Sequence, residues 1–187
     1  MFSSLLPSLS DKQLTFYNRI LPYFFNFKTV SKHSTLNTQL FINQKILFKM
    51  RVITLIIIHC SAVRPWQQSS VEDIDRWHRD HGWKGCGYHF VVRRDGTIET
   101  GRPVEVIGAH CQDRNRHSIG ICYEGGLDAE GRPADTRTEA QKTAMRQLLE
   151  QLHAQYPKAL IMGHNVFDPM KACPCFDAAE EYRDLQP

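Results

Sequence analysis

The sequence has no apolar run of the roughly 20 residues that a membrane-spanning helix needs. Its densest N-terminal patch, Ile20-Leu-Pro-Tyr-Phe-Phe25, is too short and contains a proline. Nor does it have the basic start, apolar core and small-residue cleavage site of a secretory leader. The cysteines are Cys60, Cys86, Cys111, Cys122, Cys173 and Cys175, and their spacing lacks a paired framework of the disulfide-scaffold kind. Large positive charge is missing as well. The formal net charge is +3, and residues 50–187 hold 17 basic against 19 acidic residues. A nucleic-acid surface is therefore not expected. Internal repeats and low-complexity tracts are also lacking.

Residues 1–49 lack Gly, Ala, Glu, Cys and Trp altogether, yet hold seven of the ten Phe. Their residue types are those specified by AT-rich codons, and Met50 stands just before the first apolar run. The Phe and Lys content would suit an amphipathic membrane anchor. The simpler expectation is that 1–49 is an extension, disordered or a start-site artefact, and that 50–187 is one domain. Synthesis in a reducing cytoplasm is the default for a chain with free thiols.

Within 50–187 the patterning alternates between strand and helix. Val52–Ile58 reads as a strand buried on both faces. Ser70 caps a helix in which Val71, Ile74, Trp77 and His78 recur at helical spacing, closed by Gly82. Tyr88–Val92 and Thr97–Thr100 read as a hairpin about Arg94-Asp-Gly96, and Ser118–Tyr123 as a further strand. Thr138 and Gln141 form a capping box for a helix presenting Met145, Leu148, Leu149 and Leu152. Ala159–Met162 reads as a short strand and Phe176–Leu185 as a last helix. The expected class is α/β, a central mixed sheet flanked by helices.

The chemistry concentrates in the last loop, Gly163 to Asp177, which Pro169 and Pro174 keep irregular. It carries His164, Lys171 and Cys173. Imidazole and thiolate are zinc-type ligands, but two make half a site. His59, closing the first apolar run, is the best third candidate, although a lone histidine at a strand end is more often a satisfied polar residue. Three protein ligands and an open position would be the catalytic pattern. Cys60 should point to the opposite face from His59. Cys175, two beyond Cys173, could compete for metal or pair oxidatively, and neither is expected to be a ligand.

His59-Cys-Ser-Ala62, Trp77-His78, Gly82-Trp83, Gly87-Tyr-His-Phe90, Arg94-Asp-Gly-Thr97, Asn115 with Ser118-Ile-Gly120, Gly125-Gly126 and Lys171-Ala-Cys-Pro174 occur in order. In these motifs the chain resembles the type 2 N-acetylmuramoyl-L-alanine amidases, especially the short phage lysozyme-type members, which share a fold with peptidoglycan recognition proteins. The likeness runs from about Met50 to the C-terminus. It implies one Zn2+ per chain on His59, His164 and Cys173, with Tyr88 and Lys171 as catalytic residues. It also implies that His110 lines the cleft and touches substrate. One more residue separates His164 from Lys171 than in the short phage enzymes.

The implied reaction is hydrolysis of the amide joining N-acetylmuramic acid to L-alanine, on peptidoglycan or a muropeptide. A lysine two residues from a metal ligand suits an oxyanion. A tyrosine, with a reference pKa near 10, suits orientation of water better than its bulk deprotonation. No carboxylate pair of the kind glycoside hydrolysis needs accompanies the ligands. Two alternatives are a non-cutting peptidoglycan-binding protein of the same fold and a regulatory relative that binds a phage RNA polymerase. Non-cutting relatives lose a zinc ligand, whereas all three are present here. The expectation is a monomer, acting on the wall after release or on wall fragments in the cytoplasm.

Overall fold

A computed structural model describes residues 51–187. The expectations for residues 1–49, and Met50 itself, lie outside the described residues. Five strands form one sheet in the order β3-β2-β4-β1-β5, with β1 Leu55–Cys60, β2 Phe90–Val92, β3 Ile98–Thr100, β4 Ser118–Tyr123 and β5 Leu160–Gly163. β1 runs parallel to both β4 and β5, β2 is parallel to β4, and β2–β3 is the antiparallel hairpin. The mixed sheet is the expected class.

The β-branched run explains the central position of β1. Ile56, Ile57 and Ile58 are fully buried, which requires cover on both faces. Alternation assigns the covers. Ile56, Ile58 and Cys60 share a core with Met145, Leu148, Leu149 and Leu152 of α2 (Glu139–Gln155). On the other face, Val91 and Cys122 pack with Ile74 of α1 (Val71–Asp80). Both helices begin at complete capping boxes, Ser70 with Asp73 and Thr138 with Gln141.

Strand ends shift by one to three residues from the pattern reading, and three of the differences have a clear cause. β1 extends to Cys60 because His59 and Cys60 still pair with Cys122 and Tyr123, so His59 lies inside the strand. β2 begins at Phe90 and not at Tyr88. The His89 ring takes the Gly120 N–H on Nδ1 at 2.9 Å, a side chain standing where a ladder carbonyl would. The expected helix Phe176–Leu185 is one short turn, α3 (Ala178–Glu181), capped by Asp177, then a 3₁₀ turn at Arg183–Leu185. Tyr182 between them leaves helical geometry with its side chain buried.

Candidate metal centre and cleft

The site lies at the carboxyl ends of β1 and β5, where parallel sheets commonly bind ligands. β1 delivers His59, and β5 ends at Gly163 so that His164 opens a 3₁₀ turn. The loop then returns Cys173 to the same place. Its backbone carbonyl accepts from the Asn165 N–H at 2.7 Å, and the next carbonyl, of Pro174, accepts from the buried Tyr123 hydroxyl at 2.7 Å. One donor atom each from His59, His164 and Cys173 falls within 4.8 Å of the other two.

Several features make this set fit zinc. Cys173 Sγ is 3.9 Å from His59 Nδ1, close to the roughly 3.3–3.8 Å that tetrahedral Zn–N and Zn–S bonds impose between ligands. His59 Nε2 is occupied by His110 Nδ1 at 3.0 Å, which leaves Nδ1 facing the cysteine. The Cys60 N–H donates to Cys173 Sγ at 3.2 Å. Protonation states agree with ligation, which requires neutral imidazole and thiolate. Burial, followed by the charges of His110, His164 and Lys171, holds His59 well below its ordinary value. Burial, then Lys171, lowers His164. The hydrogen bond with Cys60 lowers Cys173.

His110 stands behind His59 and on the wall of the cleft. Its Nε2 lies 3.3 Å from Ser118 Oγ, and burial carries its pKa down to about 3. Its backbone N–H and that of Cys111 both donate to Asn115 Oδ1, at 2.8 and 3.0 Å. Gly120 is required here because a Cβ would collide with the His110 ring. Arg51 ties this segment down, donating to the carbonyls of Val104, Val106, Asn115 and Ser118 at 2.7–2.9 Å. Asn115, Ser118 and Gly120 stood in the motifs without a role. Arg51 carried no signal at all, since a single arginine before a strand has no pattern.

Tyr88 comes from the segment before β2, its ring 5.1 Å from that of His59. Burial raises its phenol well above the ordinary value, so it is protonated at neutral pH. Lys171 lies on the outer rim, more than half exposed and paired with Asp168 at 3.3 Å. With Trp83, His110, His164, Phe167 and Asp168 it lines a cleft of about 680 Å3. Cys60 faces the α2 side and touches Cys175. Neither is among the three donors that converge, His59, His164 and Cys173.

Residues 49–176 match the family model described as N-acetylmuramoyl-L-alanine amidase. The chain is 44% identical over 129 residues to an endolysin of Klebsiella phage KP32, covering 69% of this chain and 85% of the relative. Against the endolysin of Escherichia phage T7 the identity is 42% over 134 residues, covering 71% and 88%. Among solved structures it resembles the endolysin amidase LysCS from Clostridium intestinale URNW, with a TM-score of 0.60, 27% identity and coverage of 72% and 82%. Drosophila PGRP-LB gives a TM-score of 0.57, 26% identity and coverage of 67% and 76%.

Proposed function

The chain belongs to the N-acetylmuramoyl-L-alanine amidase family and is an amidase, and on that premise we propose that it cleaves the N-acetylmuramic acid–L-alanine amide of peptidoglycan with one zinc ion on His59, His164 and Cys173. The observation that carries the metal is the convergence of three neutral or thiolate-prone donors within 4.8 Å, two from a loop and one from a buried strand.

Bound there, zinc would supply Lewis acidity, lowering the pKa of water towards neutrality and polarising the scissile carbonyl. The protein's own groups would do the remainder. With Nδ1 of His59 given to the metal, its proton sits on Nε2 and is donated to His110 Nδ1. The His110 proton then sits on Nε2, towards Ser118 Oγ. That chain fixes the His59 tautomer and ring orientation, the usual task of a ligand's outer partner. Tyr88, protonated and beside His59, orients the attacking water by hydrogen bonding. Lys171 places positive charge at the cleft rim, where the amide oxygen gains negative charge in the transition state. The cleft seats the glycan–peptide junction, and the protein acts as a monomer.

The test is digestion of purified peptidoglycan by zinc-loaded and chelator-treated protein. The expected products are free L-alanine amino termini without new reducing sugar ends, lost on chelation and restored by zinc. New reducing ends would overturn the bond assignment. Activity indifferent to chelation, in protein shown by analysis to be metal-free, would overturn the zinc.

A further inference from the structure

We propose that Cys60 and Cys175 are a disulfide-forming pair that staples the Cys173 loop to β1 when the protein meets an oxidising environment. The two thiols belong to neither the ligand group nor the catalytic groups, yet their sulfurs stand 3.9 Å apart, in contact. The space in which they meet is kept open by Gly126. A Cβ there would collide with the Cys60 sulfur, and the Gly126 carbonyl accepts from the Cys175 thiol at 3.3 Å. Closing to a bond of about 2.05 Å requires the sulfurs to approach by roughly 2 Å. Cys175 sits on an irregular loop rather than in a strand, so that loop can supply the movement.

Position gives the pair its consequence. Cys60 directly follows His59, and Cys175 is two residues beyond Cys173. A bond between them would join the strand holding one ligand to the loop holding another, without consuming either. The rival pairing, Cys60 with Cys173, would consume a ligand. On the reading that the substrate is peptidoglycan, the enzyme works outside the reducing cytoplasm, where disulfides persist.

The oxidant is a small-molecule disulfide. The half-buried Cys175 is reached first and Cys60 is nearly enclosed. The Cys175 thiolate attacks one sulfur of the small disulfide and expels one thiol, leaving a mixed disulfide. The Cys60 thiolate then attacks the Cys175 sulfur and expels the second. Two protein thiols are oxidised, one small disulfide is reduced to two thiols, and the two protons leave with them.

The experiment treats the full chain, supplied with zinc, with oxidised glutathione or with dithiothreitol, and maps peptides without reduction. The expected result is the Cys60 peptide linked to the Cys175 peptide, lighter by two hydrogens and reversed by dithiothreitol. The link should be absent in Cys175→Ser and in Cys60→Ala. Zinc release to a chelator should be slower from the oxidised wild type than from the reduced protein, with no such difference in Cys175→Ser. A stable glutathione adduct on Cys175 without the link, or a link from Cys60 to Cys173, overturns the proposal. If the link forms in protein that binds no zinc, the metal assignment fails and the pair stands.

Discussion

His59 and Cys173 stand 3.9 Å apart but belong to opposite kinds of structure. His59 is 1% exposed, in a strand paired on both sides, with its far nitrogen held by His110 and the loop behind that held by Arg51. Cys173 is partly exposed, on a loop whose Met170 is almost wholly in solvent, and is held through the Asn165 N–H on its carbonyl, the Tyr123 hydroxyl on that of Pro174 and the Cys60 N–H on its sulfur. The first half of the site is set by the fold, because β1 cannot shift without moving the core. The second is carried by an irregular loop tied back to the core at a few points, and changing it should cost less stability than changing β1. A site whose three donors are split in this way has one rigid wall and one more adjustable wall.

Removing a ligand from each wall should break the site equally and the protein unequally. His59→Ala and Cys173→Ser are both expected to lose zinc and amidase activity. In metal-free protein, His59→Ala leaves His110 Nδ1 buried without its partner and should cost about 1–3 kcal/mol. Cys173→Ser should cost less, because the side chain, though packed against the core, is only partly buried and serine keeps an acceptor for the Cys60 N–H. Chelator-treated denaturation curves decide this, and equal destabilisation would erase the distinction between the walls.

Next in size are the groups that would touch substrate. Lys171→Ala should lower kcat by roughly 10²–10³, the loss for one oxyanion donor, with zinc content and melting temperature unchanged because the side chain is on the rim. Tyr88→Phe should also keep zinc and lose rate. A fully active Lys171→Ala enzyme would remove the role given to that lysine and nothing else. Behind the rigid wall, His110→Ala should weaken zinc affinity about 10–100-fold, the range for an outer partner of a ligand. Competition with a chelating dye measures it, and unchanged affinity would mean that the His59–His110 bond does not position the ligand.

The buried histidines of both walls should also show in the pH dependence of metal-free protein. Burial lowers the folded-state pKa of His59 and His164, and takes that of His110 down to about 3. In the unfolded chain each histidine titrates near 6.5. The unfolded state therefore binds more protons between those values, and stability is full above about 6.5 and falls as the pH drops below it towards 3. Thermal melts from pH 8 to pH 4 are expected to fall along this slope. His110→Ala should flatten it, and an unchanged slope in that variant would place the linkage elsewhere.

How much of this was legible follows the same division. β1, its double burial and the two capped helices were readable because β-branching, helical periodicity and capping boxes are local signals. The convergence of His59, His164 and Cys173 was readable from the order of the motifs, since nothing local ties His59 to a loop more than a hundred residues away. The far end of the chain was misread as a single helix, because the burial of Tyr182 is decided by the core and not by the local pattern. The support behind His59 was invisible for a similar reason. Arg51 acts through backbone carbonyls, which every residue possesses, so no residue type marks its partners.

The smallest effect expected is from removing residues 1–49, which lie outside the described residues. We propose that the amidase domain is 50–187, because the family match begins at residue 49 and the composition changes there. A chain starting at Met50 should match the full chain in melting temperature, zinc content and amidase rate. Its boundary is sharp in one direction, because Arg51 binds the carbonyls of Val104, Asn115 and Ser118 and so holds the segment that places His110. A chain starting at Val52 gives up those bonds. Hydrogen bonds to charged groups contribute about 1.5–3 kcal/mol net of exchange with water, so this second chain should melt measurably lower and bind zinc more weakly. Loss of the thermal transition on removing 1–49 alone would show that the extension belongs to the fold. Identical behaviour of the two shortened chains would show that Arg51 does not brace the rigid wall.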